Sequence, residues 1–231
     1  MILGIIPARG GSKGVINKNI RLINGTPLIN YTIQAAIDSK ELDDFFVSTD
    51  SEEIKSVAEI AGASVPFLRP KNLSTDTAST LSVVSHALEW YEQSRCDIVE
   101  LIVLLQPTTP MRTAADIDKS ICMMKADLSA NSLISCYDAT HVHPSIMYKD
   151  RNGRLAPLMG KEERDKRRQD FSPVYVRNGA IYIVKREYFI QNNSLISESP
   201  LCYKMPRIRS INIDEELDLV IAESLINYRD R

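Results

Sequence analysis

The sequence predicts an α/β fold built on a parallel, doubly wound sheet. Three observations carry this expectation. Short apolar runs alternate with amphipathic stretches through the first two thirds of the chain, an order that needs crossover connections and hence parallel strands. The run "IVELIVLL" (98–105) is the most hydrophobic, as a central strand buried on both faces should be. Polar loops follow the strands, and in such a sheet the loops beyond the carboxyl ends gather at one edge.

The elements follow in order. "MILGII" reads as the first strand. In "TPLINYTIQAAIDS", Thr26 is a candidate N-cap and Pro27 suits the first helical position. "FFVST" is a second strand, and Asp50-Ser51 can cap the helix "EEIKSVAEIA", which stops before Gly62. "ASVPFL" is read as a third strand and "LSVVSHALEWYEQ" as the next helix. After the central strand comes the helix "TAADIDKSICMMKA". "NSLISCY" and "GAIYIV" extend the sheet. Between them the character changes. "IMYKDRNGRLAPL" reads as a hairpin turning at Asn152-Gly153. "KEERDKRR" is eight charged residues in a row, the mark of a solvated face or tip. The segment at about 140–175 is therefore expected to project as an arm from one domain spanning 1–231. The chain closes with a strand "SINID" and a helix "EELDLVIAESLINY".

Composition narrows the function. The 231 residues are 44% hydrophobic and 25% charged, ordinary for a globular chain. The net charge of −2 argues against general nucleic-acid binding, so any anion site must be local. No apolar run reaches the roughly 20 residues that span a bilayer, and the start shows no basic region or cleavage site. Cys96, Cys122, Cys136 and Cys202 form no C-x-x-C pair and no metal spacing. They are expected to be reduced thiols packed in a cytoplasmic protein.

The chemistry-bearing stretch is "IIPARGGSKG" (5–14). Gly10, Gly11 and Gly14 permit backbone angles at which amide N–H groups converge, while Arg9, Lys13 and Lys18 add positive charge. That combination suits a phosphate chain, although a tight surface turn would also use glycine. Neither the Walker spacing nor G-x-G-x-x-G is present. The other edge loops, "TDS", "RPKNLSTDTAST" and "QPTTPMRT", contribute Arg69 and Arg112 as cations, with Thr75, Thr77, Ser79, Thr80, Gln106, Thr108 and Thr109 as neutral hydrogen-bonders. Such an edge fits a nucleoside triphosphate beside a polar, anionic second substrate. His86 lies in an amphipathic helix and is read as structural. His141 and His143, at i and i+2, could share a metal, but no cysteine or carboxylate completes a set.

Joined to "KN", "LRP", "STDTAS", "LLQPTTPMR", "RNGAIY" and "SINIDEELDL", that first loop resembles the acylneuraminate cytidylyltransferases, also called CMP-sialic acid synthetases. The blocks run in family order over nearly the whole chain. The resemblance implies a Rossmann-like sheet, a homodimer formed by the arm, and transfer of CMP from CTP to a nine-carbon 2-keto sugar acid with Mg²⁺. It implies that Ala8, Arg9, Gly10, Ser12 and Asn19 hold the nucleotide with Lys18, and that Arg9 and Lys18 act in catalysis. It implies that Arg69, Ala78 and Thr80 surround the cytidine. Gln106 and Tyr182 would line the sugar pocket with Arg168 and Gln169, an arm position that can act across the dimer. Asp214 would carry Mg²⁺, helped by Asn212.

Two positions depart from the family pattern. The metal strand usually reads D-x-D, and here it reads Asn212-Ile213-Asp214. Arg177 stands where many relatives have proline before the asparagine of "NGAIY". Synthetases for 3-deoxy-manno-octulosonate carry Q-x-D after the central strand, whereas Gln106-Pro107-Thr108 lacks the carboxylate and favours the sialic-type branch. Two other readings remain at this level. A GT-A type glycosyltransferase would need an internal D-x-D that "LLQPTT" lacks, and Asn212 would also fit a weak nucleotide-binding relative. N-acetylneuraminate, legionaminate and pseudaminate share the carboxylate and the anomeric hydroxyl, so the sequence does not choose among them.

Overall fold

The computed structural model describes residues 1–11, 14–95, 97–161 and 167–229. The central sheet uses β1 (Ile2–Pro7), β4 (Asp44–Ser48), β5 (Leu101–Leu104), β6 (Ser132–Asp138), β9 (Tyr175–Lys185) and β10 (Leu201–Lys204). Their order is β10-β6-β9-β5-β1-β4. The pairs β1–β4, β1–β5 and β6–β10 are parallel. β9 runs antiparallel to both β5 and β6. The sheet is thus mostly parallel with one reversed strand, and the reversal brings the start of β9 to the edge where β5 and β6 end.

Alternation along the strands explains the two layers. Ile2 and Ile6 of β1 pack with Val103 of β5 against α1 (Leu28–Ile37), α2 (Glu52–Ile60) and α4 (Ala114–Ala126). Leu3 and Ile5 face the other way with Ile102 and Leu104, against α3 (Thr80–Arg95) and α5 (Arg186–Asn192). All four residues of β5 are buried, as a strand covered on both faces requires. A third apolar cluster lies under α6 (Glu216–Arg229), where Leu219, Ala222 and Ile226 meet Val15, Ile23, Leu28 and Met111.

Local signals account for several boundaries. Ser51 caps α2 by accepting from the Ile54 N–H, and Thr113 forms a reciprocal capping box with Asp116 at the start of α4. The arm hairpin pairs β7 (Tyr148–Arg151) with β8 (Arg154–Pro157) in a two-stranded sheet of its own. Asn152 (φ 54°) and Gly153 (φ 78°) form its turn with the left-handed geometry such hairpins need.

Several expectations are corrected. Thr26 does not cap α1. A second hairpin, β2 (Leu22–Ile23) with β3 (Thr26–Pro27), turns at Asn24-Gly25, both with positive φ, and moves Pro27 to the N-cap of α1. "ASVPFL" makes only isolated bridges from Ser64 to Phe46 and from Leu68 to Thr49, since Pro66 has no N–H for a ladder. "SINID" is not a strand; the Ile213 N–H instead donates to the Thr108 carbonyl, 2.8 Å away. β10 and α5 were not foreseen. Cys136 and Cys202 are not reduced thiols. They lie on the neighbouring strands β6 and β10, Cα atoms 6.5 Å apart, and form a disulfide. Their separation of 66 positions along the chain hid the pairing. Cys122 is free and exposed. Among the described residues no helix is long and apolar enough to cross a membrane.

Candidate active site

The carboxyl ends of β1, β4 and β5 share one edge, and there the loops that leave β1 and β5, with the 69–80 loop and the segment of Asn212 and Asp214, enclose a cleft of about 480 Å³. Arg9, Lys18, Asn19, Arg69, Ala78 and Thr80 line it. Gln106 and Asn212 line it as well, and they also line an adjoining cleft of about 410 Å³ that contains Tyr182. Two depressions therefore meet at one pair of amide side chains.

Carboxylates hold the cations of the larger cleft. Arg9 donates to Asp76, Nη1 to Oδ1 at 2.7 Å. Lys18 Nζ donates to the Ile213 carbonyl at 2.6 Å and lies 3.1 Å from Asp214 Oδ1. Arg69 is 5% exposed, with Nε donating to Ser74 Oγ at 3.2 Å and Nη2 lying 3.7 Å from Asp50 Oδ1. Burial lowers the Arg69 pKa, Asp50 offsets that effect, and the charge of Arg9 adds to it. Asp50 also accepts from the Gly10 N–H at 3.0 Å, so one carboxylate joins the first loop to the Arg69 loop.

The first loop is anchored more than expected. The Ala8 N–H donates to the Ser48 carbonyl, and Asn19 Nδ2 donates to the Arg9 carbonyl at 3.0 Å. Of the glycine amides expected to converge on a ligand, that of Gly10 is thus taken by a protein acceptor, as is that of Ala8, expected among the nucleotide-binding residues. Ser12 and Lys13 lie outside the described residues. Gly14 touches the segment after Ser210: a Cβ there would come 2.1 Å from the Asp214 carbonyl oxygen.

Arg112 is corrected from an edge cation to a structural one. It is 3% exposed, and it donates to the Ala180 carbonyl at 2.7 Å and to Thr32 Oγ1 at 2.6 Å. Burial pushes its pKa down to about 9, against the pull of Asp116. It braces β9 against α1 behind the site.

The smaller cleft is shaped by an irregularity in β9. Ile134 pairs with Tyr182 and Cys136 with Arg177, so two steps on β6 span five on β9. The extra residues bulge around Gly179 (φ 78°), where a Cβ would come 2.7 Å from Gln106 Oε1. Asn178 fixes the bulge from beneath: its Oδ1 accepts from Ser135 Oγ at 2.6 Å and its Nδ2 donates to Ser210 Oγ at 2.9 Å. This buried network was missed by sequence reasoning, and "RNGAIY" was its only local signal. Tyr182 is half-buried; burial raises its pKa and the charge of Arg177 lowers it.

The remaining sequence-predicted residues separate. Asn212 and Asp214 are adjacent, Nδ2 donating to Oδ2 at 2.5 Å. Gln169 is exposed in the turn Arg168–Asp170 and is not among the described residues lining either cleft, while the side chain of Arg168 lies outside what is described. His86 meets Phe67 edge-on at 4.8 Å. His143 is buried, stacks on Phe171 and bonds Ser145 Oγ through Nδ1 at 2.6 Å, so its ring is used in packing. Among the described residues no group of three or more His, Cys, Asp or Glu is placed to hold a metal.

Comparison with known proteins fits this geometry. A profile of the family described as Cytidylyltransferase matches residues 3–196. The chain is 36% identical to the CMP-N,N'-diacetyllegionaminic acid synthase of Legionella pneumophila, covering 97% of this chain and 96% of that protein. It is 31% identical to the N-acylneuraminate cytidylyltransferase of Escherichia coli over its full length, and spans about half (53%) of that relative. Its fold is similar to that of CMP:2-keto-3-deoxy-manno-octonic acid synthetase solved with CTP, at a TM-score of 0.72, 17% identity and 99% coverage of both chains. On the profile match and on relatives above 30% identity along nearly its whole length, the chain belongs to the cytidylyltransferase family.

Proposed function

We propose that the chain transfers CMP from CTP to the anomeric hydroxyl of a nine-carbon 2-keto sugar acid and releases pyrophosphate. The observation that carries this reading is the junction of the two clefts at Gln106 and Asn212. The larger, cation-lined cleft suits the triphosphate. The smaller one, with Tyr182 and the Gly179 bulge, suits the sugar. Relatives named as legionaminic acid, N-acylneuraminate and pseudaminic acid enzymes point the same way.

In the reaction the anomeric oxygen attacks the α-phosphorus in line. A new O–P bond forms, the bond from the α-phosphorus to the bridging oxygen breaks, the hydroxyl proton is lost, and pyrophosphate leaves. The protein's part is positioning and charge neutralisation. Arg9 and Lys18 offset charge growing on the leaving group, an effect that a preorganised site makes large. Arg69 and the 74–80 loop bound the base. Gln106, at the junction, orients the acceptor.

The donor set fits Mg²⁺ in a limited way. Asp214 offers one carboxylate and Asn212 an amide oxygen, both hard donors, and Mg²⁺ takes few protein ligands when phosphates and water supply the rest. When bound there, the ion would neutralise phosphate charge. Lys18 already pairs with Asp214 and competes for the same oxygen. The arm, with Tyr148 and Leu155 exposed on its hairpin, would join two copies as a homodimer, with Arg168 and Gln169 reaching the partner's sugar cleft. Placing the reaction in the cytoplasm accords with its nucleotide substrate.

The test is a matrix of CTP and UTP against N-acetylneuraminate, N,N'-diacetyllegionaminate and pseudaminate, read by pyrophosphate release. Turnover of at least one acid with CTP, strongly preferred over UTP, is expected, because a wrong base leaves buried polar groups unpaired. Equal use of UTP, or no release with any acid, overturns the reading.

A further inference from the structure

Each described cation of the nucleotide cleft has an acidic partner: Arg9 has Asp76, Lys18 has Asp214 and Arg69 has Asp50. The adjoining cleft differs. Its described lining contains Arg177 and no aspartate or glutamate. Arg177 is exposed, and among the described residues it has no ion pair or side-chain hydrogen bond. Its charge nevertheless acts on the Tyr182 phenol.

The strand register explains why these two side chains work together. Five residues apart on an unbroken strand they would point to opposite faces. They are instead paired with Cys136 and Ile134, two apart on β6 and so on one face. The three extra residues of the bulge restore the phase and bring Arg177 to the Tyr182 side. The bulge itself is costly to move, since Gly179 has a positive φ and Asn178 is buried in its hydrogen-bond network. A guanidinium without a partner among the described residues, held on this bulge in a cleft whose described lining has no carboxylate, suits a planar anion, and a carboxylate accepts the two N–H donors of a guanidinium edge.

We propose that Arg177 anchors the carboxylate of the acceptor sugar acid and so selects acids over neutral sugars in the smaller cleft. This rests on the reading that the smaller cleft takes the sugar. Held at that end, the sugar would present its anomeric hydroxyl, on the carbon that bears the carboxylate, toward the junction at Gln106 and Asn212.

The experiment compares wild type, Arg177→Ala and Arg177→Lys, using whichever acid of the panel the wild type turns over fastest, together with the carboxamide of that acid. Loss of a charge-assisted hydrogen bond raises the KM for the acid in Arg177→Ala by roughly 10- to 100-fold. The KM for CTP stays within about twofold if the nucleotide cleft is separate, and it reports that the variant is folded. Arg177→Lys recovers part of the loss, because it keeps the charge but not the fork. Wild type prefers acid to carboxamide, and Arg177→Ala loses that preference. An unchanged KM for the acid, or equal increases for acid and CTP, overturns this assignment alone and leaves the function standing. A wild type that releases pyrophosphate with no acid and shows no binding of the panel acids in saturation-transfer NMR overturns the function and the anchor together.

Discussion

Gly14→Ala tests the seam between the first loop and the Asn212–Asp214 segment. The added Cβ would sit 2.1 Å from the Asp214 carbonyl oxygen, and real Cβ contacts do not fall below 3.0 Å, so the two backbones must part by about 3.0 − 2.1 = 0.9 Å. Backbone on one side and backbone on the other leave no flexible group to yield. Overpacking of this kind costs about 1–3 kcal/mol. For a chain of this size each kcal/mol lowers Tm by roughly 2–4 °C, so the expected drop is about 2–12 °C. Activity should fall further than stability. The displaced residue carries the carboxylate 3.1 Å from Lys18, and a misplacement of about 1 Å in a reacting site can cost roughly 10²-fold in rate. Thermal unfolding and initial rates of pyrophosphate release measure the two effects. Gly11→Ala is the control, because a Cβ there meets nothing within 4 Å. A Gly14→Ala protein with wild-type Tm and turnover would refute the contact and the argument built on it.

Three further predictions follow. Lys18→Ala and Arg9→Ala should each remain folded by circular dichroism and lose roughly 10²–10³ in kcat, the scale of removing one group that stabilises transition-state charge; near-normal turnover in both would exclude them from the phosphate site. Asp214→Ala should lose most activity and Asn212→Asp should need less Mg²⁺ for half-maximal rate, measured by Mg²⁺ titration at saturating CTP, since a second carboxylate attracts the cation more strongly. Burial pushes the Asp116 carboxyl up, but hydrogen bonds from Arg209, Thr113 and Tyr203 outweigh it and hold the pKa below its ordinary 3.8, so its stabilisation is present above that pH and is lost as pH falls through the lower folded value; Asp116→Asn should therefore melt roughly 6–20 °C lower at pH 7, with the gap to wild type closing below about pH 4.

What the sequence shows of the fold depends on how far each signal reaches along the chain. Apolar runs of six to eight residues exposed β1, β5 and β6, and the Asp50-Ser51 cap exposed the start of α2, whereas the Thr113–Asp116 capping box that starts α4 was not read. The reversed direction of β9 has no local signature, because direction is set by which neighbour a strand meets. The disulfide is the same case: two cysteines 66 residues apart become neighbours only when β10 lies beside β6. "SINID" shows the opposite failure. Its alternation of apolar and polar residues is real, but Ile213 fills the cluster beneath α6 instead of joining a ladder.

The site divides along the same line. Residue types at the carboxyl edge were legible, since glycines, cations and hydroxyls after parallel strands can be read without knowing their partners. The pairings were not, and they change the electrostatics. A loop carrying Arg9 and Lys18 reads in isolation as bare positive charge, whereas in the fold each cation faces a carboxylate 2.7–3.1 Å away. On the proposed reading, a triphosphate entering the cleft therefore exchanges partners and does not meet free charge. That lowers its gain on binding, because each cation gives up one anion to take another. It also means that the cations are already in place when the phosphates arrive, so little ordering entropy remains to be lost. On that reading Asp214 would be the pivot of the exchange: Lys18 pairs with it, and a cation bound to Asp214 would free Lys18 for the phosphates. The weak point of the sequence reading, one aspartate where the D-x-D pattern would have two, follows the same logic. A carboxylate already shared with a lysine needs no second carboxylate beside it to stay balanced, and Asn212 supplies an oxygen donor at that place without adding a charge that Lys18 would have to offset.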